Sequence, residues 1–529
     1  MGLSALVVSL GTLASRVLGL IRDISIAYFF GAAWVSDVFF AAYRIPSLFR
    51  KLLAEGALSS AVVPVYTSLE DSDPEKAARL VRAAFTWVLI LVGGFVLFGM
   101  IFSRYFVMVA APGFIGQWYF PLTVSLTRVM FPFLLLMSLA SVVMGVLHAH
   151  KKFAVPAFAP CFFNLSLIAS IFLLAPRLGL EPEQQIWALA VGVLVGGLLQ
   201  FLVQWLRLRG LGIQLGWLPD WRLEGLTRLL KLMGPMAFGL AIMQLIVLVD
   251  TIVASYLVEG SISHLYYSNR LFQFPFALIG VAVGTVVLPT SSQQVVKENG
   301  EEVLATTRNS LGMMSFLMIP SAFGLWLLGH PLIGLLFRRG EFSAADQRVT
   351  FAVLFTALFG LFAYGCNRIF ISICYSYEDT KGPVLAALLA LLVNGSLNVG
   401  FVLLWPHIFE RFALLQRLLP RFLEYRVSAL TLAGSVAVWL QVFFLRTWLG
   451  RYLPAELTFP WRQFGKHLFL ALLMSVALFP VLYLPLDEFT TVATGVVVGA
   501  LVYFALAHLL GETYPARILT RLKNKLTPG

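Results

Sequence analysis

The chain has 529 residues, 59% of them hydrophobic and only 12% charged, with a mean hydropathy of +0.87 and a formal net charge of +12. About a quarter of a soluble protein's residues are charged, so the composition excludes a soluble globular enzyme. The basic residues lie in short segments between hydrophobic spans, where they orient a membrane protein rather than grip nucleic acid. Cys161, Cys366 and Cys374 sit in apolar stretches without metal spacing, and read as small core residues. Residues 1–14 lack a basic n-region, so no cleaved signal peptide is expected.

A helix needs about 20 apolar residues to cross a bilayer. On that measure the chain is an all-α polytopic membrane protein of about fourteen transmembrane helices. The first six are expected near 3–30, 34–66, 83–110, 118–147, 154–175 and 186–206. The next six fall near 233–257, 262–291, 309–337, 349–376, 383–405 and 427–446, and the last two near 467–485 and 489–511. Gly19, Pro46, Pro235, Pro275 and Pro320 mark spans where kinks or breaks are expected. An even number of spans puts both ends on one side. The basic tail RILTRLKNKL makes that side cytoplasmic, and most of the 38 Lys and Arg then fall in cytoplasmic segments. The external segment 406–426 runs against this trend, with four arginines and apolar residues at helical spacing; it reads as a helix on the membrane surface.

The two halves repeat a pattern. Asp23, Arg44 and Pro64 mark the first two spans, and Asp250, Arg270 and Pro289 mark spans seven and eight at nearly the same spacing. HAHKKFAVP (148–156) and YSYEDTKGP (375–383) each close one span and open the next. Two pseudo-symmetric six-helix lobes plus two C-terminal helices follow from this. The expected division is an N-terminal lobe 1–210, a cytoplasmic linker 211–232, a C-terminal lobe 233–446, helices 13–14 over 447–511 and a basic tail 512–529.

The first two spans carry Arg16, Arg22, Asp23, Asp37, Arg44, Arg50, Lys51 and Glu55. A charge at the centre of a membrane helix costs about 2.5–3.5 kcal/mol on insertion scales. These residues therefore point to a wet interior cavity. Asp23 and Arg44 can pair across spans. Arg16, Arg22 and Arg50 leave an excess of positive charge, and Arg270 adds a cation from the second half. The planar guanidinium fork suits phosphate or pyrophosphate. Glu55, beside Gly56, reads as a partner of the arginines or a proton carrier. Arg128 and Arg368 interrupt corresponding spans and read as headgroup contacts, as do His148 and His150 beside Lys151 and Lys152. Asp250, deep in span seven, must be protonated, paired or on a cation. Asn394 and Asn398, one turn apart, can coordinate a cation or bond between helices. The acids of EDSD (70–73) offer a metal-binding loop to a polyprenyl-phosphate glycosyltransferase; the simpler reading is a linker ending in a helix cap at Asp73-Pro74-Glu75.

SRVLGLIRD (15–23), FFGAAWVSDVFFAAYRIPSLFRKLLAEGALSSAVVPVY (29–66) and KFAVPAFAPCFFN (152–164) resemble the MurJ (MviN) family of lipid II flippases, in the MOP exporter superfamily. The resemblance implies an inner-membrane transporter, not an enzyme, working by alternating access. It implies lipid II (undecaprenyl-pyrophosphoryl-MurNAc-pentapeptide-GlcNAc) as substrate, with membrane lipids and the cell-wall synthesis machinery as partners and no nucleic acid. It places substrate binding at Arg16, Arg22, Asp37, Arg50, Glu55 and Arg270, and the lipid tail along the last two helices. No cofactor is implied beyond a coupling cation, sodium or proton, or the membrane potential. The sodium ligands it suggests are Asp250, Asn394 and Asn398, although Asn398 stands where the family pattern has an acid. Another MOP exporter, for polysaccharide lipids or for drugs, is the nearest alternative.

Overall fold

A computed structural model describes residues 2–53, 58–411, 425–454 and 459–515. Those residues form helices and turns, without a β-strand among them. They pack as two units. The first comprises the chain up to Ser263 together with Arg339–Phe342; the second comprises His264–Arg338 and the chain from Ser343 onward.

The first unit holds α1 (Gly2–Phe30), α2 (Trp34–Leu53), α3 (Ser59–Ser72), α4 (Pro74–Ile101), α5 (Ser103–Ala110), α6 (Phe120–Met130), α7 (Pro132–Ala149) and α8 (Ala154–Ala169). It continues with the short α9 (Ala175–Leu178) and α10 (Pro182–Gln185), then α11 (Trp187–Arg209) and α12 (Glu224–Ala254). α13 (Ser261–Pro275) begins at its end, and α14 (Val281–Val296), α15 (Gly300–Phe337), α16 (Ala344–Ser376) and α17 (Lys381–Arg411) follow. α18 (Arg426–Leu449), α19 (Trp461–Tyr483) and α20 (Glu488–Leu509) complete the second unit.

Among the described residues, eleven helices are long and apolar enough to cross a membrane. The other three expected spans are occupied by α1, by α2 with α3, and by α12, which contributes the apolar stretch Leu240–Ala254. The arrangement is consistent with fourteen spans. The segment expected as a surface helix is not separate where it is described, because α17 runs on to Arg411; residues 412–424 lie outside the described residues.

Local chemistry explains where the helices start, stop and meet. Asp73 caps α4, its carboxylate accepting from the amides of Glu75 and Lys76 at 3.1 Å each, with Pro74 in the first turn. Ser343 and Asp346 form a capping box at the start of α16. α2 runs through Pro46 and α15 through Pro320 without a break. After Pro275, by contrast, the helix widens into a π-turn over Phe276–Gly280, closed by the Val281 amide on the Phe276 carbonyl. α1 packs on α8 through small residues every fourth position, Gly11, Ser15 and Gly19. A Cβ on Gly11 would come within 2.9 Å of Ala157. Van der Waals contact of this kind holds membrane helices together where no hydrophobic drive exists.

In the second unit, α16 meets α18 along a polar seam. Thr356 donates to the Ser428 carbonyl at 2.8 Å and lies 2.6 Å from Thr431, while Ser435 donates to the Thr356 carbonyl at 3.0 Å. Such bonds are worth about 0.6 kcal/mol each between membrane helices. α19 and α20 pack on α15, with Phe316, Leu470, Met474, Tyr503 and Tyr514 in one apolar cluster.

Candidate functional site

The charged residues of α1 and α2 are held by specific partners. Adjacent positions on a helix point about 100° apart, yet the long Arg22 side chain curls onto Asp23. Its Nε and Nη2 both donate to one Asp23 oxygen, at 3.0 and 2.7 Å. Its Nη1 donates to Asn164 Oδ1 on α8 at 3.0 Å, and Asn164 Nδ2 in turn donates to the Ser15 carbonyl at 3.0 Å. The side chains of Arg22 and Asp23 are 11% and 1% exposed. A guanidinium ordered in this way is fixed in position before any ligand arrives, so less entropy is lost on binding.

Asp37 has partners of its own within the first unit. It is buried on α2, and both its oxygens accept from the chain at the start of α13. Oδ2 takes the Gly260 amide at 2.8 Å; Oδ1 takes the Ser263 amide at 2.7 Å and the Ser263 hydroxyl at 2.6 Å. A carboxylate there satisfies amides that a helix start leaves unpaired. Ser263 Oγ also lies 2.9 Å from Ser36 Oγ.

Arg16 is exposed on α1, and Arg44 and Arg50 are half-buried on α2. The Arg50 guanidinium lies 5.5 Å from the centre of the Phe133 ring. In the second unit, Arg270 donates to the Tyr266 hydroxyl at 2.6 Å and sits over that ring at 4.8 Å. Arg368 is exposed and packs beside Gly284. Glu55 lies outside the described residues.

Asp250 is half-buried on α12, in the first unit. Asn394 and Asn398 are buried on α17, in the second, and Asn398 Nδ2 donates to Asn394 Oδ1 at 2.5 Å. The Asn394 oxygen keeps a second lone pair beside that hydrogen bond, and the described residues hold no group of three or more His, Cys, Asp or Glu.

Two residues at the helix ends have protein partners. His150 faces protein, with Nε2 3.1 Å from the Tyr66 hydroxyl and 3.2 Å from Glu70. Arg128 donates to the Met100 carbonyl at the end of α4, at 3.0 Å. Asn164 and Tyr266 were not singled out from sequence. Tyr266 stands four residues before Arg270, one helical turn, and that spacing is the signal that would have found it.

An all-helical, multi-pass membrane protein with arginines fixed inside its first spans has the build of a transporter. A solved structure described as an inward-facing multidrug resistance MATE family transporter of the MOP superfamily aligns with 83% of this chain and 95% of its own, with a TM-score of 0.59 at 14% identity, which places the fold among such transporters. The family model described as Lipid II flippase MurJ matches residues 26–505, and the chain belongs to that family, whose members are transporters rather than enzymes. It is 35% identical over 479 residues to a probable lipid II flippase MurJ of Vibrio cholerae, covering 84% of this chain and 90% of that one. A solved structure of lipid II flippase MurJ in an inward closed conformation aligns with 96% of this chain and 98% of its own, with a TM-score of 0.79 at 25% identity. The glycosyltransferase alternative falls with this result.

Proposed function

We propose that this protein flips lipid II from the cytoplasmic to the periplasmic leaflet of a bacterial inner membrane, with both termini in the cytoplasm. The observation that carries the reading is the family match over residues 26–505. The mechanism is alternating access of two lobes. Arg16, Arg22, Arg50 and Arg270 bind the pyrophosphate in the inward-facing state, and neutralising their charge lets the lobes rock outward. The Arg22 geometry supports this: its guanidinium is ordered by Asp23 and Asn164 inside an apolar span, a costly arrangement for mere solubility. The lipid tail runs along α19 and α20. The cell-wall synthesis machinery that uses the flipped product is the natural partner.

The test is lipid II exposed on the outer leaflet of a bacterium depleted of its own flippase and supplied with this protein. Wild type restores exposure; Arg22→Ala and Arg270→Ala, present at equal level, do not. If wild type fails, the substrate is another polyprenyl lipid. If the variants succeed, the arginine mechanism fails and the flippase assignment stands.

A further inference from the structure

The linker between α11 and α12 is not a loose connection. Leu211, Ile213, Leu215 and Leu223 pack onto the apolar cluster formed by α3, α4, α7 and the start of α12. The chain then runs antiparallel along the first turns of α4. The fully buried Thr86 donates to the Gly216 carbonyl at 3.2 Å and accepts from the Leu218 amide at 2.8 Å. Two turns nearer the start of α4, Arg79 pairs with Asp220 at 3.2 Å. Arg82 lies against Gly216, where a Cβ would come within 3.3 Å of its Cδ.

This docking turns two tryptophans outward. Trp217 is 65% exposed and Trp221 66%, and Arg222 sits over the Trp221 ring at 6.0 Å. Their level in the membrane follows from α4. No charged residue occurs between Arg82 and Arg104. At 1.5 Å per residue, Ala83–Ile101 spans about 28 Å, nearly the whole hydrocarbon thickness of about 30 Å. The hydrocarbon boundary therefore falls close to Ala83. Trp217, tied to Thr86 through its neighbours, lies at that boundary. Arg79 lies about 6 Å outside it and Arg82 just outside it, both within the headgroup layer. Tryptophan favours this depth, and cations there attract anionic lipid.

We propose that Trp217, Trp221, Arg79, Arg82 and Arg222 form a site for the phosphate headgroup of an anionic phospholipid, on the membrane face where α4 begins. Trp217 anchors the linker at the acyl boundary. Arg82 and Arg222 take the phosphodiester, and Arg79, already held by Asp220, fixes the ribbon that presents them.

The test uses the full-length protein in nanodiscs of phosphatidylcholine with or without phosphatidylglycerol. Native mass spectrometry of the released protein reads which lipids it retains. Wild type retains phosphatidylglycerol over phosphatidylcholine. Arg82→Gln and Arg222→Gln each lower that preference about five-fold. Equal preference in wild type and both variants overturns the proposal. Inorganic phosphate that displaces the retained lipid from the wild-type protein would make this a site for soluble phosphate, and also overturns it. A second measurement does not depend on the arginine variants. Lipids brominated near the top of the acyl chain quench the fluorescence that distinguishes wild type from Trp217→Phe. If only a water-soluble quencher does so, Trp217 faces water and a soluble partner, and the lipid site is wrong.

Discussion

Lys151 and Glu378 adopt the same left-handed backbone conformation, each with φ 58°, at the same place in the two halves of the chain. Both close a helix with the same bond: the Lys152 amide reaches back to the Leu147 carbonyl at 2.8 Å, and the Asp379 amide to the Cys374 carbonyl at 2.9 Å. The separation between them equals that between Asp23 and Asp250, and that between Pro156 and Pro383. A shared backbone irregularity on top of a shared spacing supports an internal repeat more strongly than either does alone.

Glycine adopts this conformation without the Cβ clash that costs other residues about 1–2 kcal/mol. Lys151→Gly and Glu378→Gly should each raise the thermal unfolding midpoint in detergent, by the equivalent of about 1 kcal/mol. A lowered midpoint at either position would mean that the side chain holds the turn by a contact worth more than the strain.

Asp37 should matter to folding as well as to transport. Asp37→Ala leaves the buried Gly260 and Ser263 amides without their acceptor, at about 1–3 kcal/mol. Asp37→Asn keeps one acceptor and should fall between wild type and alanine. The check is the unfolding midpoint of purified protein without substrate. An unchanged midpoint in Asp37→Ala would mean that these hydrogen bonds add nothing to stability.

Asn164 should be needed because it positions Arg22. Asn164→Ala removes one hydrogen bond from the guanidinium and one from the α1 backbone. Flipping should fall severalfold while Arg22 remains present, and Asn164→Gln should recover less than wild-type rate because its longer stem shifts the amide by about 1.5 Å. Full activity in Asn164→Ala would show that the pose of Arg22 is set elsewhere.

Asp379 provides a pH dependence with a definite sign. Burial alone would raise its carboxyl. The hydrogen bonds from the Trp448 indole at 2.6 Å and from the Gly382 and Lys381 amides at 3.1 and 2.8 Å outweigh it, and hold the group below the usual carboxylate range. A carboxylate lowered on folding contributes stability above its unfolded pKa, and that contribution is lost as pH falls through the folded value. Acidification below about pH 4 should therefore loosen the turn between α16 and α17. Amide hydrogen exchange at Lys381 and Gly382 reads this directly, and Asp379→Asn should flatten the response.

The spans were legible because apolar length is a local property, and each expected crossing is helical where it is described. The cap at Asp73 was legible for the same reason: the carboxylate and the amides it accepts lie within three residues. The site was legible only as a set of charges. Arg22 finds Asn164 across 142 positions, and Asp37 finds Ser263 across 226. Nothing in the local sequence states either distance. The cost of burying a charge told where partners were needed, not which ones would supply them.

The pairing of α1 with α8 also bears on how the chain is made. A helix that packs on its immediate successor can finish folding as soon as that successor enters the membrane. α1 cannot, because its small-residue stripe and Arg22 both wait for a segment more than a hundred residues downstream. At about 5–20 residues per second, the ribosome needs on the order of ten seconds to deliver Asn164. For that interval the first helix must stay in the bilayer with three charges on it, Arg16, Arg22 and Asp23. The Arg22–Asp23 contact, made between neighbours, is available from the start and lets the helix hold its place until α8 arrives.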